Sequence, residues 1–196
     1  LRLVIVSISI SLILISCGKE EKRPGMEIKM EIDSTQLGQF ISDTTYHVGF
    51  NAPGMWEFMA SEMSEKNESL INKRKAKERF LYKPKYVFFN NAHRCFMSVG
   101  EIKEDEINSS PDSLLENYGN MLRAKFAESD FHSEMIEING LQCVKCIIFM
   151  PKLVSYKLFF INDTGKLIQF EYTVPSEFIE NQIISVSSSI YSIKGL

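Results

Sequence analysis

Runs of hydrophobic positions, broken at regular intervals by turn-forming residues, organise the second half of the chain. Residues 131–138, 141–150, 154–161 and 166–174 are rich in β-branched and aromatic side chains. They are punctuated by Asn139-Gly140, by Pro151-Lys152 and by the stretch 162–165. Asn-Gly is a strong signal for a two-residue type I′ turn, so a meander of four antiparallel strands is predicted. Apolar residues recur at helical spacing elsewhere. Leu114, Leu115, Tyr118, Met121, Leu122 and Phe126 form one stripe, preceded by Ser110 as cap, Pro111 in the first turn and Asp112 at the positive end. Ile179, Ile183, Val186 and Ile190 form another, in a last helix capped by Ser176, with Ser187, Ser188 and Ser189 largely off the stripe.

The first half reads less regularly. A strand is predicted at 46–50, followed by a turn at Asn51-Ala52-Pro53-Gly54. A helix over 55–79 is predicted from the spacing of Trp56, Met59, Met63 and Leu70. The basic residues that crowd the end of that segment suit the negative end of a helix dipole, and beside a lipid anchor they could also touch anionic headgroups. KYVFFN and HRCFMSV, at 85–90 and 93–99, predict a hairpin, and the acidic EIKEDE at 101–106 reads as a solvated loop. Both alternate faces of 141–150 are mostly apolar, which places that strand inside a sheet covered on each side. The expected class is α+β: a mainly antiparallel sheet with helices on both faces.

The extreme N-terminus departs from this patterning. Residues 3–15 are an uncharged run of thirteen positions behind Arg2, too short for the roughly twenty residues that span a bilayer and of the length of a signal-peptide core. The run ends in Leu14-Ile15-Ser16-Cys17, which resembles the bacterial lipobox. The resemblance implies cleavage between Ser16 and Cys17, a diacylglyceryl thioether on the Cys17 thiol, and often acylation, typically by palmitate, of the new amino group. Each buried methylene adds about 0.8 kcal/mol of membrane affinity, so two or three chains hold the protein firmly. Residues 1–16 are then a lipoprotein signal peptide, 17–34 the lipidated cysteine with a polar tether, and 35–196 a single folded domain. The alternating segment 26–32 has the pattern of a short edge strand. Lys19-Glu20-Glu21 serves as solvated linker, and also resembles a short signal that sends some Gram-negative lipoproteins to the cell exterior. The expected location is the cell envelope, with the outer membrane or cell surface favoured.

Composition adds mainly exclusions. The chain has 196 residues, 44% hydrophobic and 24% charged, with net charge −3, and removing residues 1–16 takes away one positive charge and leaves −4. A mildly acidic domain does not point to nucleic acid. The three histidines, His47, His93 and His132, are widely separated, and neither an HExxH helix, a phosphate loop, a GxSxG elbow nor an EF-hand loop occurs. No cofactor and no catalytic residue is therefore assigned. His93 and Cys95, two apart in an expected strand, would share a face and could join a neighbouring cysteine in a metal site or envelope enzyme; this is the alternative to a binding protein. Cys143 and Cys146 have the CxxC spacing, but three steps along a strand separate the α-carbons by about 10 Å, and bridging fails beyond about 7 Å. They read as small buried hydrophobes on opposite faces. A bridge from Cys95 to one of them stays open in an oxidising compartment.

GFNAPGMWEF at 49–58, SPDSLLENYGNMLRAKF at 110–126, EINGLQCVKC at 137–146 and VPSEFIENQIISVSSSIYSI at 174–193 follow one another in the order strand, helix, hairpin, helix, meander, helix. This order resembles the Mog1/PsbP-like superfamily, which includes lipoproteins of the DcrB type. The resemblance implies an α/β/α sandwich and an accessory or binding role rather than an enzymatic one. With the membrane as first partner through Cys17, the expected second partner is another envelope protein.

Overall fold

The computed structural model describes residues 32–59, 79–105 and 110–196. In chain order these form β1 (Leu37–Asp43), β2 (Val48–Pro53), β3 (Glu57–Phe58), β4 (Phe80–Asn90), β5 (Cys95–Glu104), α1 (Pro111–Lys125), β6 (Asp130–Ile138), β7 (Leu141–Phe149), β8 (Leu153–Ile161), β9 (Leu167–Pro175), α2 (Ile179–Tyr191) and β10 (Lys194–Gly195). Among the described residues the fold is mostly antiparallel sheet with two α-helices. Seven strands lie in the order β3-β4-β5-β9-β8-β7-β6, and a smaller sheet has the order β1-β2-β10. No helix among the described residues is long and apolar enough to cross a membrane.

The meander forms as its turn residues dictate. Asn139 and Gly140 both take positive φ, 48° and 83°, as a type I′ turn requires. The Asn139 amide also donates to the Tyr191 and Ile193 carbonyls at 3.0 and 2.7 Å, tying the turn to the end of α2. α1 begins as its sequence indicates, with the Ser110 hydroxyl accepting from the Ser113 amide.

Consecutive side chains of a strand point to opposite faces, and β8 divides cleanly. Val154, Tyr156, Leu158 and Phe160 enter a large apolar core with Phe50 and Phe170 and with Val186 and Ile190 of α2. Phe159 enters a smaller one with Phe80, Leu167 and with Tyr118 and Leu122 of α1. The small sheet completes the larger core: Val48 and Phe50 of β2 are fully buried, and Phe50 packs edge-on against Phe170 with ring centroids 5.1 Å apart. Asp43 at the end of β1 pins that sheet down. Its carboxylate meets the Lys85 ammonium at 2.8 Å and accepts from the amides of Thr45 and Tyr46.

Several expectations change. Residues 55–59 are a turn and the short β3, not the start of a helix; the rest of the expected helix, 60–78, lies outside the described residues. Asn51-Ala52-Pro53 belongs to β2 because β1 pairs with it through to Leu37–Pro53, and the turn comes at Gly54 and Met55. Glu101 to Glu104 is strand, not loop: β4 pairs with it as far as Phe80–Glu104, and Arg79 binds Glu104 at 2.7 Å. Gly100 permits that pairing, since a Cβ there would lie 2.1 Å from the Lys83 carbonyl oxygen beside the Pro84 irregularity. Ser176 opens a 3-10 turn without capping it. Ser187, Ser188 and Ser189 are buried, because α2 packs against the small sheet as well as the large one: Ser189 donates to the Asn51 carbonyl at 2.6 Å and shares a hydrogen bond with the Tyr172 hydroxyl at 3.0 Å. The Asp33 amide likewise docks on Ser188 Oγ at 2.9 Å.

Candidate functional site

The register of the large sheet lines up Ser133, Cys146, Lys157, Glu171 and Ser98 as direct neighbours across β6, β7, β8, β9 and β5. Directly opposed residues share a face, so this is a polar row on the side where Cys146 meets the smaller core. At its centre the Lys157 ammonium and Glu171 carboxylate pair at 2.6 Å with both side chains largely buried. Glu171 is tied onward through the Gln169 amide at 3.4 Å, and Gln169 accepts from the Tyr118 hydroxyl at 2.6 Å. Burial pushes the Tyr118 pKa far up, so its hydroxyl remains a donor at every physiological pH. Helix α1 is thereby fixed to β9 by a chain of hydrogen bonds that ends on a charge pair.

Beside the row, α1 and the β6-β7 hairpin enclose an open groove of about 270 Å³. Asp112, Glu116 and Arg123 form its helical rim, Val144 and Cys146 line it from β7, and Met135 stands on the far wall. Charge is segregated along it as α1 dictates, with acids in the first turns and Arg123 in the last. Arg123 donates to the Ser133 hydroxyl at 3.0 Å and lies over the Phe131 ring, and no acid among the described residues pairs with it. Cys146 is not a nucleophile here. Burial raises its thiol pKa to about 11, against a smaller opposite pull from Lys157 and Arg123, so thiolate is scarce at neutral pH. The arrangement offers a guanidinium, two carboxylates and an apolar floor: equipment for holding a ligand or peptide.

No family model matches the sequence, and no curated protein matches it. Among solved structures, the chain is similar to the solution structure of the PsbP protein of the cyanobacterium Synechocystis, at 15% identity and a TM-score of 0.47, over 84% of this chain and 95% of that one. It is also similar to a crystal structure from Bacteroides thetaiotaomicron, at 10% identity and a TM-score of 0.43, over 81% of this chain. This chain spans about half the length of the Bacteroides chain, 48%.

The residues singled out in the sequence fall in different places. Ser16 and Cys17 lie outside the described residues. Cys95 and Cys143 both join the larger core and Cys146 the smaller, and all three are free thiols with no exposure. Burial raises the pKa of Cys95 to about 11 and of Cys143 to about 12. His93 does not share a strand face with Cys95: it sits in the turn before β5, with its ring tilted against that of Phe178 at a centroid distance of 4.8 Å. The Trp56 indole, which can only donate, gives its hydrogen to Gln182 Oε1 at 3.0 Å, and this turns the Gln182 amide nitrogen toward His93 Nδ1 at 3.2 Å. Nδ1 is therefore an acceptor and is spent on Gln182. No group of three His, Cys, Asp or Glu among the described residues could hold a metal ion. His47 and His132 pair with Asp163 and Asp130 at exposed positions.

Sequence reasoning missed the Lys157–Glu171 pair and Arg123. The signal for the first was present: a single charge stands inside each of two otherwise uncharged runs, VSYKLFF and LIQFEYT, which an antiparallel meander brings side by side.

Proposed function

We propose that the chain is a lipid-anchored envelope lipoprotein whose domain acts as a non-enzymatic binding or accessory protein. The observation that carries the anchor is the uncharged run 3–15 ending in Leu14-Ile15-Ser16-Cys17. In this reading Cys17 holds the lipid, residues 18–34 form the tether, and the domain presents the α1 groove to another envelope component. Charges of opposite sign at the two ends of the groove, beside a thiol that burial keeps protonated, support recognition rather than covalent chemistry. We read the domain further as an α/β/α sandwich of the Mog1/PsbP-like kind, a reading supported by the division of β8 side chains between a core containing α2 and a core containing α1.

Metabolic labelling with a palmitate analogue tests the anchor. Label is expected on the native protein and lost in Cys17→Ser; equal labelling of the two overturns the reading. Surface proteolysis of intact cells then distinguishes an outward-facing domain, which is cleaved, from one that faces the periplasm.

A further inference from the structure

The groove lies against β6, the terminal strand of the seven-stranded sheet among the described strands. Edge strands offer backbone donors and acceptors to an incoming strand, and pockets beside the edge then read its alternate side chains. β6 has both features on one side. Ser133 and Met135 line the groove, and Glu137, two positions further on, shares their face.

The direction of the charges can be derived. A short turn joins α1 to β6, and Arg123 touches Ser133 near the start of the strand, so the two elements run antiparallel. Arg123 to Glu116 covers about 10 Å of helix and Ser133 to Glu137 about 13 Å of strand. Asp112 and Glu116 therefore stand alongside Met135 and Glu137, and the groove passes from acidic to apolar to basic.

From this we propose that the groove and the β6 edge together receive an extended peptide segment of a partner protein, added antiparallel to β6. Its groove-facing side chains read, from N- to C-terminus at every second position, basic, aliphatic, acidic. The basic residue meets Glu137, Glu116 and Asp112; the aliphatic residue meets Met135 over Val144; the acidic residue meets Arg123. A second copy of β6 does not satisfy this code, since its own residues on that face, Phe131, Ser133, Met135 and Glu137, include no cation. The proposal rests on the binding-protein reading and names the class of partner.

Two end-capped peptides test it, Thr-Lys-Thr-Leu-Thr-Glu-Thr and the same composition with Lys and Glu exchanged, titrated into the full chain in detergent micelles with backbone amide shifts as readout. The first is expected to shift the amides of 130–138 and those of the α1 rim, and to bind about tenfold more tightly than the second. Arg123→Glu should erase that preference while amides away from the groove stay in place. N-methylation of the peptide at alternate amides should abolish binding in one phase and spare it in the other, as a one-sided ladder demands. Equal affinity for the two peptides, or no shift along β6 at millimolar peptide, overturns the proposal. Cys17→Ser leaves this titration untouched, so failure of the peptide code and failure of the lipid anchor are read separately.

Discussion

The two cores of the large sheet are built on different terms. Among the described residues the larger one carries no buried charge pair at its centre: Phe50, Met97, Phe170 and Val186 meet with no exposure, and the β1-β2 hairpin closes over them. The smaller one includes Tyr118, Leu122 and Phe159, but a buried charge pair lies in the polar row beneath it and an open groove lies beside that row. Polar groups in a sealed core cost stability unless partnered, so a fold that needs polar chemistry places it where another core already supplies the stability. The comparison leaves the first region sealed and gives the second a buried polar row beside an open groove.

Substitutions in the two regions measure that division. Phe50→Ala removes a fully buried ring that touches Tyr86, Phe88 and Phe170. It is expected to destabilise the chain by about 3–5 kcal/mol in denaturant unfolding. Leu115→Ala, in the wall of the groove, should cost about 1 kcal/mol, because water already reaches the space that the side chain leaves. Equal losses would mean that the groove is as much a part of the packed core as Phe50, and the division would fail.

The charge pair gives the next largest effect. Lys157→Ala strands the Glu171 carboxylate in a largely buried site and is expected to cost about 3 kcal/mol. Replacing both partners together, Lys157→Met with Glu171→Leu, should restore stability to within about 1 kcal/mol of native. A double variant as unstable as the single one would show that the pair itself, rather than the stranded charge, holds β8 to β9.

Which parts of this were legible in the sequence follows the same division. The meander, the Asn139-Gly140 turn, α1 with its Ser110 cap, and the burial of Cys143 and Cys146 on opposite faces all follow from local pattern, because each is set by periodicity or by one turn. What escaped depends on tertiary partners. β1 is half-buried or exposed until Asp43 and carries no clear alternation, so only its pairing with β2 makes it a strand. Ser187 to Ser189 lie largely off the apolar stripe of their helix, and a second sheet packed against them buries them. EIKEDE reads as a loop because its charges suit solvent, yet β4 pairs with it up to Glu104. The groove needs both α1 and β6 in place, and no single segment encodes it. Chemistry fared likewise: His93 and Cys95 are neighbours in sequence, but the turn at 91–94 sends one to Gln182 and the other into the core.

Acid sharpens the comparison at the hairpin that closes the larger core. Burial opposes ionisation of Asp43, but Lys85, the Tyr46 and Thr45 amides and the Tyr86 hydroxyl together outweigh it and hold the carboxyl below its usual range. A depressed folded-state pKa contributes stability that is fully present above the unfolded value, near 3.8, and is lost as pH falls through the lower folded value. Stability should therefore drop on acidification below about pH 4, and Asp43→Asn, already weaker at neutral pH, should lose less over that interval. Parallel acid curves for the two proteins would remove Asp43 from the closure of the hairpin.

The smallest effect is the most discriminating, because one substitution should have opposite signs in the two cores. Tyr156 lies in the larger core with its ring fully buried and its hydroxyl without a hydrogen-bond partner among the described residues. A buried hydroxyl that has lost water and found no replacement opposes folding, so Tyr156→Phe, which keeps the ring and removes only that oxygen, should stabilise the chain by about 1 kcal/mol. Tyr118 presents the same group in the smaller core, donating to Gln169 at 2.6 Å in the chain that leads to Glu171 and Lys157. Tyr118→Phe leaves a buried amide oxygen unmet and should destabilise by about 1 kcal/mol. Two conservative changes read by the same unfolding experiment thus test whether the sealed core merely tolerates a polar group while the other is organised around one. If both variants shift stability in the same direction, the polar row is incidental to the packing of its core, and the two sides of the sheet do not differ in how they treat a buried hydroxyl.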